Sequence, residues 1–126
     1  MRKMFLLFSH QLTPTQINDA RYSWSIDEFV VLEDDLQKLW SQIPPELESL
    51  DGYLQPIKEY LKDNITKNDV VLIQGDFGGC YEMVNWVKQL DAIPIYATTV
   101  RNVIEKNVNG KIIKTSQFEH VRFRKY

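Results

Sequence analysis

The chain has 126 residues, 44% of them apolar and 12% aromatic, and a formal net charge of −2, which suits one folded domain with its own core. The single cysteine excludes an intrachain disulfide framework. The N-terminal apolar run Met4–Phe8 is too short for a signal-peptide core or a membrane span, so we expect a cytoplasmic protein without membrane association.

The first half of the chain alternates strand and helix patterns. Lys3–Phe8 is a short apolar run that predicts a buried strand, and Glu28–Leu32 predicts a second one. Between them, Thr13–Gln16 indicates a helix start, because it offers an N-cap, a proline at the first helical position and a capping-box glutamine. Acidic residues 33–35 open a second helix, which Pro44-Pro45 ends before a third.

The second half begins with a strand and ends in a hairpin. Asp69–Ile73 is apolar on both faces and predicts a central strand, and Ile93–Ala97 predicts a fourth strand after one more helix. Asn109-Gly110 lies between two apolar-rich runs and predicts a β-hairpin, and Val121–Tyr126 alternates like a further edge strand.

This order of elements predicts an α/β fold with a parallel sheet of about four strands in the order 2-1-3-4, covered on both faces, plus a C-terminal antiparallel hairpin. We expect one Rossmann-like domain over residues 1–126. Its parallel core covers about residues 1–100, and the hairpin and a basic tail cover about residues 101–126.

Charge is distributed unevenly along the chain. Residues 27–63 contain ten acidic side chains and three lysines, whereas residues 98–126 contain seven basic side chains and two glutamates. Two interpretations of the basic segment stay open: it is a footprint for an anionic partner, or its lysines protect an antiparallel sheet edge.

Three polar segments are expected to meet where the strand order reverses. Ligands of open α/β sheets bind outside the carboxyl ends of the strands at that point, here between the first and third strands. Ser9-His10, the loop 74–79 and Thr98–Arg101 all follow such strand ends. The sequence therefore predicts a single crevice lined by all three.

The loop 74–79 contains Gly75, Gly78 and Gly79 ahead of a helix. Glycines permit a close backbone approach to a ligand, and unpaired N–H groups at a helix start attract phosphate. The alternative is a tight strand-to-helix turn without a ligand. Asp76 would repel a bare phosphate, so a ribose hydroxyl or an adenine amine is its more natural partner.

The other two segments also allow two interpretations each. Ser9 suits a phosphate contact and His10 suits proton transfer, or both residues serve only the loop. Thr98 and Thr99 suit phosphate oxygens or a local cap, and Arg101 supplies a bidentate cation.

Few other residues are candidates for chemistry. His120 lies in the basic tail and is a weak candidate for a ligand contact, and Cys80 is interpreted as a small core residue. The three tryptophans, Trp24, Trp40 and Trp86, fall on apolar helical faces. No spacing of His, Cys and carboxylates forms a metal site, so no metal or cofactor is expected.

Four motifs in order resemble the small CRISPR-associated Csx-twenty family, and the resemblance spans nearly the whole chain. They are Phe8-Ser9-His10-Gln11-Leu12-Thr13, Ile73-Gln74-Gly75-Asp76-Phe77-Gly78, Ile95-Tyr96-Ala97-Thr98-Thr99-Val100-Arg101 and His120-Val121-Arg122-Phe123-Arg124-Lys125-Tyr126. That family accompanies type III CRISPR systems and is grouped with the ring nucleases. These resemble the Rossmann-like sensor domains (CARF domains) that bind cyclic oligoadenylates.

The resemblance implies metal-independent cleavage of cyclic tetra-adenylate, in which a ribose 2′-hydroxyl attacks its own phosphodiester and the antiviral signal ends. His10, Ser9 and Arg101 are then the catalytic candidates. The ligand-binding candidates are Gln74, Gly75, Asp76, Phe77, Gly78, Thr98 and Thr99. A homodimer would match the two-fold symmetry of the ring, and duplex nucleic acid is not an expected partner. The alternative is a sensor that binds the ring without cutting it.

Overall fold

A computed structural model describes residues 1–126 and contains five strands and four helices. In chain order these are β1 Lys3–Leu7, α1 Pro14–Trp24, β2 Glu28–Val31, α2 Asp34–Ser41, α3 Gln55–Asn64, β3 Val70–Ile73, α4 Phe77–Gln89, β4 Ile93–Val108 and β5 Lys111–Lys125. None of these helices combines the length and the apolar character needed to cross a bilayer.

All five strands form one sheet in the order β2-β1-β3-β4-β5. β1 pairs in parallel with β2 and β3, β3 pairs in parallel with β4, and β5 runs antiparallel to β4. The predicted α/β class, the strand order 2-1-3-4 of the parallel core and the C-terminal antiparallel hairpin are confirmed.

The central strands are buried on both faces because the crossovers place helices on both sides. Phe5 and Ile73 point into the larger core, which α2, α3 and α4 cover. Met4 and Leu72 point into a smaller core on the other face, covered by α1. The predicted start of α1 is also confirmed, since the Thr13 hydroxyl accepts from Gln16 N at 3.2 Å and Gln16 Oε1 accepts from Thr13 N at 3.0 Å.

The fourth strand is much longer than the sequence predicts. Its pairing with β3 ends at Ile95, but β4 continues to Val108 and pairs with β5 throughout, with a register shift at Thr98/Thr99. The expectation of a strand that stops at Ala97 was wrong, because pairing with β5 lets β4 extend past the end of β3. Asn109-Gly110 forms the predicted turn, with φ of 53° and 78°. We call residues 100–119 the arm.

Candidate functional site

The predicted crevice between β1 and β3 is filled by α2, which lies across the carboxyl ends of both strands. Gln37 Nε2 donates to Phe8 O at 3.0 Å, and Trp40 Nε1 donates to Gln74 O at 3.1 Å. The Trp40 side chain is core, as predicted, with 2% exposure. A Cβ on Gly75 would lie 3.2 Å from the indole, so this glycine makes room for Trp40.

As a result, the three predicted segments line different cavities. Ser9 and His10 line a cavity of about 470 Å³ beside α1 and β2. Gln74, Gly75 and Phe77 line one of about 710 Å³ beside α4. Thr99 lines a third, of about 540 Å³, at the base of the arm. The expectation of one crevice was therefore wrong, because a helix whose path the hydrophobic pattern does not specify occupies the space between the loops.

The largest of these cavities is rich in aromatic side chains, and we call it the aromatic cavity. It lies between α4 and the start of β4 and is lined by Phe77, Tyr81, Tyr96 and Tyr126, with Gln74, Asn85 and Lys88 among its polar residues. Phe77, Tyr81, Asn85 and Lys88 follow one another at helical spacing on a single face of α4. This face is separate from the buried stripe of Met83 and Val87.

Two of its aromatic side chains are exposed to solvent. Phe77 is 94% exposed and Tyr81 is 75% exposed. Both lie in the first turns of α4, beside the loop that leaves β3. Large apolar rings at the mouth of a cavity offer flat surfaces on which another ring can stack.

The inner wall of the cavity is held rigidly by the C-terminal residue. The Tyr126 hydroxyl donates to Ile73 O, and Tyr126 N donates to Pro94 O at 3.1 Å. Burial, with Cys80 and Tyr96 nearby, raises the pKa of Tyr126 to about 12. Burial also raises the pKa of the Cys80 thiol, which agrees with a packed cysteine and not with an activated nucleophile.

The polar groups of the cavity are free to receive a ligand. Gln74 Oε1 accepts from Ala97 N at 2.8 Å, which fixes the side chain and leaves its amide N–H groups without a protein partner. Lys88 forms no ion pair. The cavity therefore presents amide donors and one cation beside its aromatic walls.

Asp76 and Gly78 belong to the start of α4. Asp76 Oδ2 accepts from Gly79 N at 2.9 Å, so the carboxylate is the N-cap of the helix. A Cβ on Gly78 would lie 3.4 Å from Asp76 Oδ2, which is ordinary contact. These two predicted ligand residues do not line the aromatic cavity, although Phe77 between them does.

The carboxyl end of β1 carries a free histidine. The Ser9 and Ser41 hydroxyls are 3.1 Å apart, whereas His10 is exposed and has no hydrogen-bond partner. Its ring contacts Phe8 edge-on at a centroid distance of 5.5 Å. The imidazole nitrogens of His10 therefore have no partner within the protein.

Thr98 and Arg101, the predicted phosphate contacts on β4, form hydrogen bonds within the hairpin. The Thr98 hydroxyl donates to Arg122 O at 2.8 Å and accepts from Arg122 N at 3.2 Å, at the register shift. Arg101 Nε donates to Ser116 Oγ at 3.0 Å across the arm. Arg101 lines none of the three cavities.

Sequence reasoning gave little weight to His120, which pairs with a residue from the other end of the chain. His120 Nε2 lies 2.7 Å from Asp19 Oδ2 of α1, and the side chains are 4% and 20% exposed. No local signal links residues this far apart. No three His, Cys, Asp or Glu side chains lie close enough together to hold a metal ion.

Comparison with known proteins gives a family match over almost the whole length. Residues 2–124 match the family described as "Uncharacterized protein MJ1673 family". The chain is 55% identical to "Uncharacterized protein MJ1673" of Methanocaldococcus jannaschii over 126 aligned residues. The alignment covers 100% of this chain and 98% of that protein. No solved structure matches the chain significantly.

Proposed function

This chain belongs to the uncharacterized protein MJ1673 family, and we propose that it binds a cyclic oligoadenylate, with one adenine held in the aromatic cavity. The observation that carries the proposal is the pair of exposed rings, Phe77 and Tyr81, at the mouth of a cavity at the carboxyl edge of the sheet. Exposed aromatic rings beside a cavity of about 710 Å³ favour a planar ligand, because such a ligand can stack on them and cover their apolar surface.

The polar groups of the cavity suit the rest of a nucleotide. The Gln74 amide is fixed by Ala97 and can donate to a ring nitrogen of adenine. Lys88 supplies a cation for a phosphate at the rim. Asp76 is not required here, because its carboxylate already caps α4.

The ligand class itself comes from the resemblance of four motifs to the Csx-twenty family. The descriptions of the matched family and of the archaeal relative mention neither CRISPR nor a ligand. The cavity therefore supports a base-binding site, and the resemblance supports cyclic tetra-adenylate as the molecule that carries the base.

Calorimetric titration of the full chain with cyclic tetra-adenylate tests this proposal, with linear tetra-adenylate and AMP as comparison ligands. We expect Phe77→Ala and Tyr81→Ala each to weaken binding roughly tenfold, since a base stacked on an aromatic ring contributes about 1–3 kcal/mol. Tyr22→Ala is the matched control, because Tyr22 is 94% exposed on α1 and lines neither the aromatic cavity nor the His10 cavity. Absence of binding, or equal losses in all three variants, would contradict the proposal.

Cleavage of the ring is a second candidate function, favoured by the free side chain of His10. A ribose 2′-hydroxyl attacks the adjacent phosphorus, the 5′-oxygen leaves, and the products are a 2′,3′-cyclic phosphate and a 5′-hydroxyl. In this candidate His10 accepts the 2′-hydroxyl proton, the leaving 5′-oxygen takes a proton from water, and Ser9 and Arg101 contact phosphate. Arg101 does not line the His10 cavity, so this candidate places it on a different phosphate of the ring or on a second protomer.

Incubation of radiolabelled cyclic tetra-adenylate with the protein in EDTA separates the two candidates. Linear products support a metal-independent nuclease, and a bound but intact ring supports a sensor. If the protein is a nuclease, His10→Ala should slow single-turnover cleavage with little change in affinity, whereas Tyr22→Ala, at an exposed residue that does not line the His10 cavity, should cleave at the parent rate. Equal rates for His10→Ala and the parent would remove His10 from the catalytic role.

A further inference from the structure

The arm extends beyond the rest of the molecule and has no partner within it. Nine residue pairs, from Val100 and Glu119 to Val108 and Lys111, lie beyond the last residue of β4 that pairs with β3. At about 3.4 Å per residue the arm is about 30 Å long. Of residues 100–119, all but Ile104 are exposed.

Apolar side chains occupy both faces of the arm. The register places Val103, Ile112 and Phe118 on one face and Val100, Val108 and Ile113 on the other, and all six are exposed. An isolated two-stranded ribbon is at best marginally stable in water. A ribbon of this length with apolar residues on both faces is typical of an element that is covered in the working protein.

Residues 27–63 carry an excess of the opposite charge. All ten acidic side chains of residues 27–63 are exposed, and none of them forms an ion pair. Glu33, Asp34 and Asp35 lie together at the start of α2, and we call these three side chains the acidic surface. The arm carries four basic residues against two glutamates, and the one ion pair among them joins Lys114 to Glu105.

We propose that the arm is a dimerisation element that packs against the acidic surface of a second copy of this chain. One face of the arm measures about 300 Å², from a length of about 30 Å and a ribbon width of about 10 Å. In a two-fold arrangement each protomer both gives an arm and receives one, which buries about 600 Å² per protomer. Contacts of the second face or of the outer edge of β5 bring this towards the roughly 800 Å² typical of stable interfaces.

The free edge of β5 supports the same arrangement. β5 is the last strand of the sheet, so the backbone groups on its outer side have no strand partner. Exposed edges of this kind pair readily with another chain unless they are protected. The lysines and arginines of β5 oppose pairing with other basic edges and favour contact with an acidic surface.

Light scattering on the full chain, after size-exclusion chromatography at several concentrations, tests the proposal. We expect a dimer for the parent protein and a monomer for the double variant Val103→Glu/Ile112→Glu, in which two apolar contacts on one face become acidic. Tyr22→Glu is the control and should stay dimeric. The three tryptophans lie outside the arm, so their fluorescence in a thermal melt reports whether the body of the monomeric variant is still folded.

A charge exchange identifies the surface that receives the arm. Lys111→Glu/Lys114→Glu and Asp34→Lys/Asp35→Lys should each dimerise more weakly alone, and an equimolar mixture of the two should form a heterodimer. A parent chain that is monomeric at all concentrations overturns the proposal. A dimer that is insensitive to the arm substitutions also overturns it. So does a monomer that binds duplex DNA or anionic vesicles through the arm.

Discussion

His120 Nε2 of β5 lies 2.7 Å from Asp19 Oδ2 of α1, so that this pair joins the base of the arm to the helix on one face of the sheet. Burial raises the pKa of Asp19, but hydrogen bonds from His120 and Ser23 lower it more, and the net shift is downward. The Nδ1 atom of His120 is buried and has no partner, so Asp19 is the one protein group that compensates for burial of this ring.

We predict that Asp19→Asn lowers the free energy of unfolding at pH 7 by about 1–3 kcal/mol, because a nearly buried histidine loses its charged acceptor. A lowered folded pKa gives stability that is present above the unfolded pKa, about 3.9, and is lost as pH falls through the folded pKa. The difference from the parent should therefore shrink below about pH 4. Urea unfolding at pH 7 and pH 3 measures it, with the exposed Asp91→Asn as control. A difference that is the same at both pH values would contradict this.

A second prediction concerns the contact between Gly75 and Trp40. Gly75→Ala should destabilise the fold by about 1–3 kcal/mol, because the new Cβ would lie 3.2 Å from a rigid indole. In a Trp40→Phe background the smaller ring leaves space, so the same change should cost at least about 1 kcal/mol less. Urea unfolding of the four proteins in a double-mutant cycle gives the coupling. Additive losses would mean that the glycine has another role, such as close approach to a ligand.

The third prediction uses the raised pKa of Tyr126. A tyrosine whose folded pKa is about 12 contributes stability that is complete below the unfolded pKa, about 10, and declines as pH rises towards 12. The free energy of unfolding of the parent should thus fall between pH 9 and pH 11 more steeply than that of Tyr126→Phe. Tyr22→Phe, at an exposed tyrosine, should match the parent. Parallel slopes for the parent and Tyr126→Phe would show that the hydroxyl is not held as described.

Local patterns were sufficient to predict the framework of the fold. The capping box at Thr13 and Gln16 and the turn at Asn109-Gly110 form through contacts between near neighbours in sequence. The right-handed crossover rule then limits how β1, β3 and β4 can be ordered. These features need no knowledge of distant contacts.

The site was predicted less well because it depends on distant contacts. An apolar stripe shows that α2 has a buried face, but it does not show that Trp40 lies against Gly75 across the strand ends. The pairing of His120 with Asp19 is likewise set by the fold. The sequence analysis named Phe77 but missed Tyr81 and Lys88, although their helical spacing marks a face of α4 that carries rings outside the core stripe.

Cys80 provides a reporter for the aromatic cavity, because it is the single cysteine and lines that cavity. Burial raises the pKa of its thiol, so we predict that a disulfide reagent at pH 7.5 labels it more slowly than a free cysteine and that the rate rises with pH. Cyclic tetra-adenylate at a concentration near the Kd of the parent should slow labelling further in the parent and much less in Phe77→Ala, whose affinity is lower because the stacking surface is lost. The rates are measured by absorbance under native conditions, with the unfolded chain in urea as the reference. Labelling that ligand binding leaves unchanged would place the bound ring elsewhere on the molecule, with the cavity beside His10 as the next position to test.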